Sequence, residues 1–348
     1  MRCKFRLFSR IKKIYLHINF TKKKKNMVTI GLGNALVDVL SVLKSDDTLE
    51  KLSLPKGSMQ LIDKDLSAKI QDEIKDGDRH FVTGGSASNT ISGLAALGAP
   101  CHFIGKTGED EAGEFFKSDM EKHGVTTHIV KSDLPTGVCV SLISPDSERT
   151  MATCLGAAST LTENDFDPNW FKGVDLCHIE GYLVQNTTMI EAAMKMAKAA
   201  GAKVSLDLAS YNVVEENLAF LKRAVKEYVD IVFANEEEAK AFAQREPEEA
   251  LDYIAEMCEI AVVKLGKKGS LIKQNGKTVR VDCMPGVTAI DTTGAGDLFA
   301  SGFLYGLHKG YDMKRCGEIG SRVSGNIVQV VGSKLSEEKW EELRSFSE

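Results

Sequence analysis

Residues Asp291 to Phe303, DTTGAGDLFASGF, set three backbone-permissive positions, Gly294, Ala295 and Gly296, between a polar lead-in and an apolar run at helical spacing that begins with Leu298 and Phe299. This pattern predicts a Gly-rich turn that opens a helix. The first amides of a helix lack internal partners and sit at the positive end of its dipole, so they favour an anion, and glycines let that anion come close. A phosphate suits such a place. Asp297 then stands inside an anion site, where a carboxylate is costly unless it takes up a proton or holds a cation. The same GAGD also fits a plain turn capped by an aspartate, so the rest of the chain must decide.

Around this stretch the chain alternates strand and helix. Strand-like runs VTIGLG, CHFIGK, VDLCHIEG, KVSLDL, DIVFAN and IAVVKL are separated by helical patterns, among them GGSASNTISGLAALG, DEAGEFFKSDMEKHG and the stretches 187–200, 213–227 and 236–257. Such repetition predicts an α/β fold of three layers, a mostly parallel central sheet with helices on both faces. A hairpin turning at Asn275-Gly276 leads into the central motif. Residues 127–157 differ: short alternating runs parted by Pro135-Thr136-Gly137 and Pro145-Asp146 predict a small antiparallel β lid. With a segment at about 38–62 they make up the lid portions of one domain over 27–348. In such a sheet ligands bind at the carboxyl ends of the strands, where Asn34, Asn235, Gly266 and Asp291 fall.

With 43% apolar and 27% charged residues in 348, the composition is that of an ordinary soluble globular protein. Eight cysteines without a Cys-x-x-Cys pair, and seven histidines without a His-Glu-x-x-His helix, point to neither a disulfide framework nor zinc, but to reduced core thiols in a cytoplasmic protein. No apolar run reaches membrane-spanning length, so no membrane partner is expected. The first 26 residues hold ten Lys or Arg and no acid, which leaves the body with 34 basic against 49 acidic residues and a charge near −15. Such a body repels nucleic acid. The arm itself fits a targeting or nucleic-acid segment, a disordered extension, or a mis-assigned start ahead of Met27.

Two motifs mislead. GLGNAL supplies two glycines of a dinucleotide fingerprint but has Leu36 where the third is needed, and Gly105-Lys106-Thr107 resembles the end of a Walker A loop but has Pro100 at its required first glycine. Four other segments agree with one another. Gly84-Gly85 with Asn89, Asn235-Glu236-Glu237-Glu238, Lys264-Leu265-Gly266 and DTTGAGD stand in the order and spacing of the ribokinase-like (PfkB) family of carbohydrate and nucleoside kinases, and the chain resembles that family from Met27 to its end. Within it the opening GNALVD, with Asn34, Leu36 and Asp38, looks most like the adenosine kinases.

The resemblance implies a ribokinase-like fold and an ATP-dependent phosphotransferase acting on a primary hydroxyl of a ribose-type acceptor. Adenosine leads, and a sugar such as ribose or fructose, or a non-catalytic nucleotide or sugar sensor, is the alternative. Asp297 would take the proton of the attacking hydroxyl, while the amides of Gly294, Ala295 and Gly296 hold the transferring phosphoryl group. Asn235 and Glu238, one helical turn apart, would orient Mg2+ through its waters, although Glu238 also reads as one more solvated acid in an acidic run. Gly266 and Gly269 would let backbone approach ATP, with Lys264, Thr292 and Asn326 on the same side. Asp291 and Thr293 match positions that help hold a monovalent cation such as K+ in some relatives, and equally would brace the turn. On the acceptor side Asn34 and Asp38 suit a vicinal diol, Leu36 a flat base, and Gly84, Gly85 and Asn89 the sugar; Asp38 also fits a surface acid at a strand end. Arg149 would close over the acceptor from the lid, or stand as a surface charge. A monomer or homodimer is expected, binding ATP and a small-molecule acceptor.

Overall fold

Two sheets account for nearly all the strand-like runs in the computed structural model, which describes residues 27–77, 79–146 and 148–348. The basic arm over 1–26, and the expectations placed on it, lie outside the described residues. The strands are β1 (Thr29–Leu32), β2 (Leu36–Val42), β3 (Met59–Leu61), β4 (Arg79–Gly84), β5 (Cys101–Gly108), β6 (Val125–Ser132), β7 (Gly137–Ile143), β8 (Arg149–Cys154), β9 (Leu176–Glu180), β10 (Lys203–Asp207), β11 (Ile231–Asn235), β12 (Ile260–Lys264), β13 (Ser270–Gln274) and β14 (Lys277–Val281). The large sheet runs β14-β13-β12-β11-β10-β9-β1-β5-β6 and the small one β3-β8-β7-β2-β4.

From β12 across to β6 every pairing in the large sheet is parallel. The two remaining pairings, β12 with β13 and β13 with β14, are antiparallel, and β13 and β14 are joined at Asn275 (φ 50°) and Gly276 (φ 74°), the two positive angles a tight two-residue hairpin needs. Side chains alternate along each strand. Ile30, Leu32, Ile104 and Val204 therefore enter one core, and Phe103, Phe233 and Val262 the other, where Leu298 and Phe303 of helix Ala295–Lys309 meet them. Beneath the small sheet a third cluster joins Val39, Val140, Leu142 and Ala152 to Leu49 and Ile70 of helices Asp47–Lys51 and Lys64–Glu73.

Two segments depart from the sequence reading. THIVKS is not part of the lid: it lies in β6, paired in parallel with β5 over eight residues at the edge of the large sheet. Short alternation cannot tell a parallel edge strand from a hairpin arm, and the break that matters is the Pro135-Thr136-Gly137 turn after it. The small sheet also takes a strand from outside the expected segments, β4, which pairs antiparallel with β2 and delivers Gly84 opposite Leu36. The pairings of β2 with β7 and of β3 with β8 are parallel, so the small sheet is mixed rather than purely antiparallel.

This topology fixes where a ligand can lie. The large sheet fills outward in two directions from β1, toward β5 on one side and β9 on the other, and the crevice at such a switch opens at the carboxyl ends of the strands. At that end the chain leaves β1 and enters the small sheet through Gly33, Asn34 and Ala35.

Candidate active site

Helix Ala295–Lys309 begins at the crevice. Its capping residue is Gly294 (φ 71°), in the left-handed region that glycine enters freely. The Ala295 amide folds back on the Thr292 carbonyl at 3.2 Å, while the amides of Gly296 and Asp297, in the first turn, have no carbonyl of their own helix to bond. Of the three amides expected to face an anion, Ala295's is thus turned inward.

Asp297 stands in this first turn, enclosed by protein though still touched by solvent. Its Oδ1 accepts from the Ser86 hydroxyl at 2.7 Å and its Oδ2 from Asn89 Nδ2 at 3.0 Å. Both donors come from helix Ser86–Ala96, which is pinned to the Asp297 helix by Ser301 Oγ donating to the Thr90 carbonyl at 2.8 Å. Burial raises the Asp297 pKa to about 6 against the lowering effect of these two hydrogen bonds. Asn89, expected to reach an acceptor, is used here to hold the carboxylate.

On the opposite wall Asp38 projects from β2. Burial lifts its pKa to about 6, with Arg149 and Lys334 opposing that rise and Asp297 adding to it. Among the described residues its carboxylate makes no hydrogen bond. Gly84 and Gly85 make room for this wall: a Cβ on Gly84 would lie 2.2 Å from Asp38 Oδ1, and one on Gly85 (φ 95°) 2.2 Å from the Asn34 carbonyl. Asn34 is turned away from the crevice's centre, its amide and Nδ2 both donating to Glu180 Oε1 at 3.0 and 2.6 Å. Glu180 Oε2 accepts from the Ala87 amide at 2.9 Å, so this one carboxylate ties the end of β9 to the chain leaving β1 and to the start of helix Ser86–Ala96. Its pKa rises to about 7 through burial. Leu36 is 8% exposed and packs its Cδ2 under Gly137, whereas Met59 and Leu61 are about half exposed.

The third wall is charged. Lys264 Nζ, at the end of β12, bonds Asp207 Oδ2 at the end of β10 at 3.0 Å. Their side chains are 16% and 8% exposed. The ammonium also reaches the helix start, since a Cβ on Gly296 would lie 2.9 Å from it. Burial disfavours the Lys264 charge, but Asp207 and Glu238 hold its pKa above the ordinary lysine value. Asn235 and Glu238 form a capping box: Asn235 Oδ1 accepts from the Glu238 amide, and Glu238 accepts from the Asn235 amide at 2.8 Å and from its Nδ2 at 2.7 Å. Burial and then Asp207 raise the Glu238 pKa. The Asn-x-x-Glu spacing thus has a structural use that the sequence reading did not weigh.

Arg149, the residue expected to close over an acceptor, reaches across from β8 to the polar lead-in. Its Nη1 donates to Asp291 at 2.8 and 3.0 Å and also meets the Thr293 hydroxyl. Asp291 further accepts from the Gly332 amide at 2.8 Å and from the Thr293 amide and hydroxyl at 2.9 and 2.7 Å. Burial opposes its charge, yet these bonds and Arg149 hold its pKa below the usual value. A guanidinium engages the oxygens a monovalent cation would need, so this arrangement does not fit such an ion. On the far side Gly266 (φ 54°) is open and Gly269 lies under the Val281 carbonyl. Thr292 is exposed, and Asn326 is buried with its Nδ2 on the Arg322 carbonyl at 2.8 Å.

Three members of this constellation were missed in the sequence. Glu180 and Asp207 each end an apolar strand with a carboxylate, and that was the available signal; Ser86 directly follows the two glycines that were singled out.

A family model described as pfkB family carbohydrate kinase matches residues 57–340. Among curated proteins the chain is 30% identical over 337 residues to adenosine kinase of Dictyostelium discoideum, covering 89% of this chain and 97% of that one. It is 28% identical over 313 residues to 5-dehydro-2-deoxygluconokinase of Shouchella clausii, covering 82% and 92%. The crystal structure of adenosine kinase from Sinorhizobium meliloti superposes with a TM-score of 0.83 at 30% identity, over 92% of this chain and all of that one (100%).

Proposed function

The chain belongs to the pfkB family of carbohydrate kinases, phosphotransferases with an alcohol acceptor, and from that premise we propose that it transfers the γ-phosphoryl group of ATP to the primary hydroxyl of adenosine. The observation that carries the phosphotransfer reading is Asp297, set in the first turn of a helix whose amides await an anion and held on both oxygens by Ser86 and Asn89. A sensor has no need of a base there.

In this reading the acceptor's hydroxyl hydrogen-bonds Asp297, which takes its proton as the oxygen attacks the γ-phosphorus and the bond to the β-phosphate oxygen breaks, releasing ADP. The amides of Gly296 and Asp297 and the Lys264 ammonium face the charge on the phosphoryl oxygens. Asp38 accepts from the ribose diol, for which its carboxylate has free lone pairs. Asn34 and Asn89 serve by holding Glu180 and Asp297 rather than by touching the sugar. Mg2+ arriving with the ATP phosphates would lie at the Glu238 end, where Asp207 and Glu238 outnumber Lys264 in charge and where burial and then Asp207 raise the Glu238 pKa; it would neutralise the phosphate charge. The full-length relatives include both nucleoside and sugar kinases, so a sugar acceptor is the second reading, favoured by the carboxyl-rich, polar crevice. Comparing kcat/KM for adenosine, inosine, ribose and fructose tests the assignment. Nucleosides are expected to lead, and a sugar that exceeds both of them refutes the adenosine reading.

A further inference from the structure

Beside the crevice, between helices Ser86–Ala96 and Glu111–Lys122, lies a part-open cavity of about 170 Å3 that residues 333–335 and Trp340 also line. Its walls are mixed, with Phe81, Phe115, Leu298 and Trp340 among the apolar ones. Six polar residues also line it, Asn89, Ser92, Asp119, His123, Ser333 and Lys334, and three of them have one buried atom without a hydrogen-bond partner: Asn89 Oδ1, Ser333 Oγ and Lys334 Nζ. Asn89 and Ser333 are 6% and 5% exposed. The Lys334 ammonium stands 3.9 Å from the Asp119 carboxylate, whose Oδ2 already accepts from the Thr83 hydroxyl at 2.7 Å.

Buried polar atoms are ordinarily paired, and leaving them unpaired costs stability. One acceptor and two donors meeting in one such space are the complement of a ligand with the opposite set. Charge narrows the class. Asp119 and Asp38 face Lys334, and Asp297 faces Asn89, so a further anion is repelled, while the ammonium itself repels a cation. Size narrows it again, because an apolar cavity of about 150 Å3 accommodates benzene.

We propose that this cavity is a second ligand site, distinct from the phosphotransfer crevice, for a small neutral ring compound that offers an acceptor oxygen to Lys334 and Ser333 and an N–H or O–H donor to Asn89. Occupancy is felt at Asp297. A donor on Asn89 Oδ1 polarises the amide and strengthens the bond from its Nδ2 to Asp297 Oδ2, 3.0 Å away, which favours the ionised carboxylate. This coupling rests on Asp297 being the base; binding does not.

Benzamide carries the required groups and serves as the probe, titrated calorimetrically into the full-length protein with and without acceptor and ATP. It is expected to bind with a Kd of about 1 mM or tighter, at least roughly tenfold more tightly than benzoate or toluene, and without competition from acceptor. Lys334→Met, which keeps the stem, and Ser333→Ala should each weaken binding while leaving the unfolding midpoint within a few degrees of wild type. Benzamide should also move the acid limb of the kcat profile to lower pH in wild type and not in Lys334→Met. No heat at about 10 mM, equal binding by both variants, preference for benzoate, or competition with acceptor overturns the proposal. Retained binding by Asp297→Asn would leave it standing even if the assignment of the base failed.

Discussion

Replacing Lys264 with Met separates two roles that this lysine combines. It bonds Asp207 at 3.0 Å with both side chains largely buried, so its removal leaves a buried carboxylate whose only other hydrogen-bond donor among the described residues is the Ala209 amide on Oδ1, at 2.9 Å. Breaking one partner out of such a pair typically costs about 3–5 kcal/mol, whereas removing both charges is often close to neutral. Lys264→Met should therefore lose stability in that range, at its lower end if Asp207 takes up a proton. Lys264→Met with Asp207→Asn, which keeps the oxygen that Ala209 uses, should return to within roughly 1.5 kcal/mol of wild type. The recovery of at least about 1.5 kcal/mol on adding Asp207→Asn is well above the additivity error of distant sites. Turnover should not return with stability. The ammonium reaches Gly296 at the helix start, and loss of one fixed donor to a developing anion costs about 10²–10³ in kcat. Denaturant unfolding and steady-state kinetics on the single and double variants supply both numbers. A double variant that regains turnover would show that Lys264 serves only to neutralise Asp207, and the phosphate contact would be lost from the mechanism.

Asp297→Asn preserves shape and can still bond Ser86 through its oxygen, so it should keep the fold and ATP binding while kcat falls by about 10²–10⁴; turnover near wild type would remove Asp297 as the base. Asp297 and Asp38 both have pKa values raised to about 6, and the proposed mechanism needs each ionised, so kcat/KM should fall as pH drops below 6 with a slope that steepens beyond one. In Asp38→Asn the slope should relax to one, and a limb unchanged by that substitution would show that Asp38 does not titrate in the active form. Gly85→Ala places a Cβ 2.2 Å from the Asn34 carbonyl at a φ of 95°, strain worth about 1–3 kcal/mol. It should lower the unfolding midpoint and raise the acceptor KM, and a variant as stable as wild type would mean that this turn relaxes freely.

The features legible in the sequence are those in which cause and effect are close in the chain. The DTTGAGD turn, the Asn275-Gly276 hairpin and the order of βα units each depend on a handful of consecutive residues, and all three stand where the pattern put them. The small sheet was only half legible. Whether a short alternating strand joins one sheet or another is decided by which neighbour can supply backbone hydrogen bonds, and nothing in THIVKS itself distinguishes the edge of β5 from a hairpin partner. RHFVTG failed for a related reason: Phe81 is half exposed at the edge of the small sheet, so the segment lacks the apolar continuity that marks a buried strand.

Side-chain partnerships were the least legible layer, because each joins residues that only the fold brings together. Arg149 and Asp291 are separated by 142 positions, Asn34 and Glu180 by 146, and Asn89 and Asp297 by 208. Sequence reading assigned Asn34, Asp38 and Asn89 alike to the acceptor because all three are polar and near the crevice. The structure separates them by hydrogen-bonding capacity. Asn34 and Asn89 each spend one Nδ2 N–H on Glu180 or Asp297, so swinging either amide wholly toward a sugar would leave that carboxylate with one donor fewer. The Asp38 carboxylate has no such commitment. Its pKa is raised by burial, a rise that the charges of Arg149 and Lys334 oppose, so hydroxyl donors arriving there stabilise its charged form instead of competing with a bond already made. In the proposed reading the acceptor's diol is therefore assigned to Asp38, and the two asparagines to the frame that keeps Glu180 and Asp297 in place.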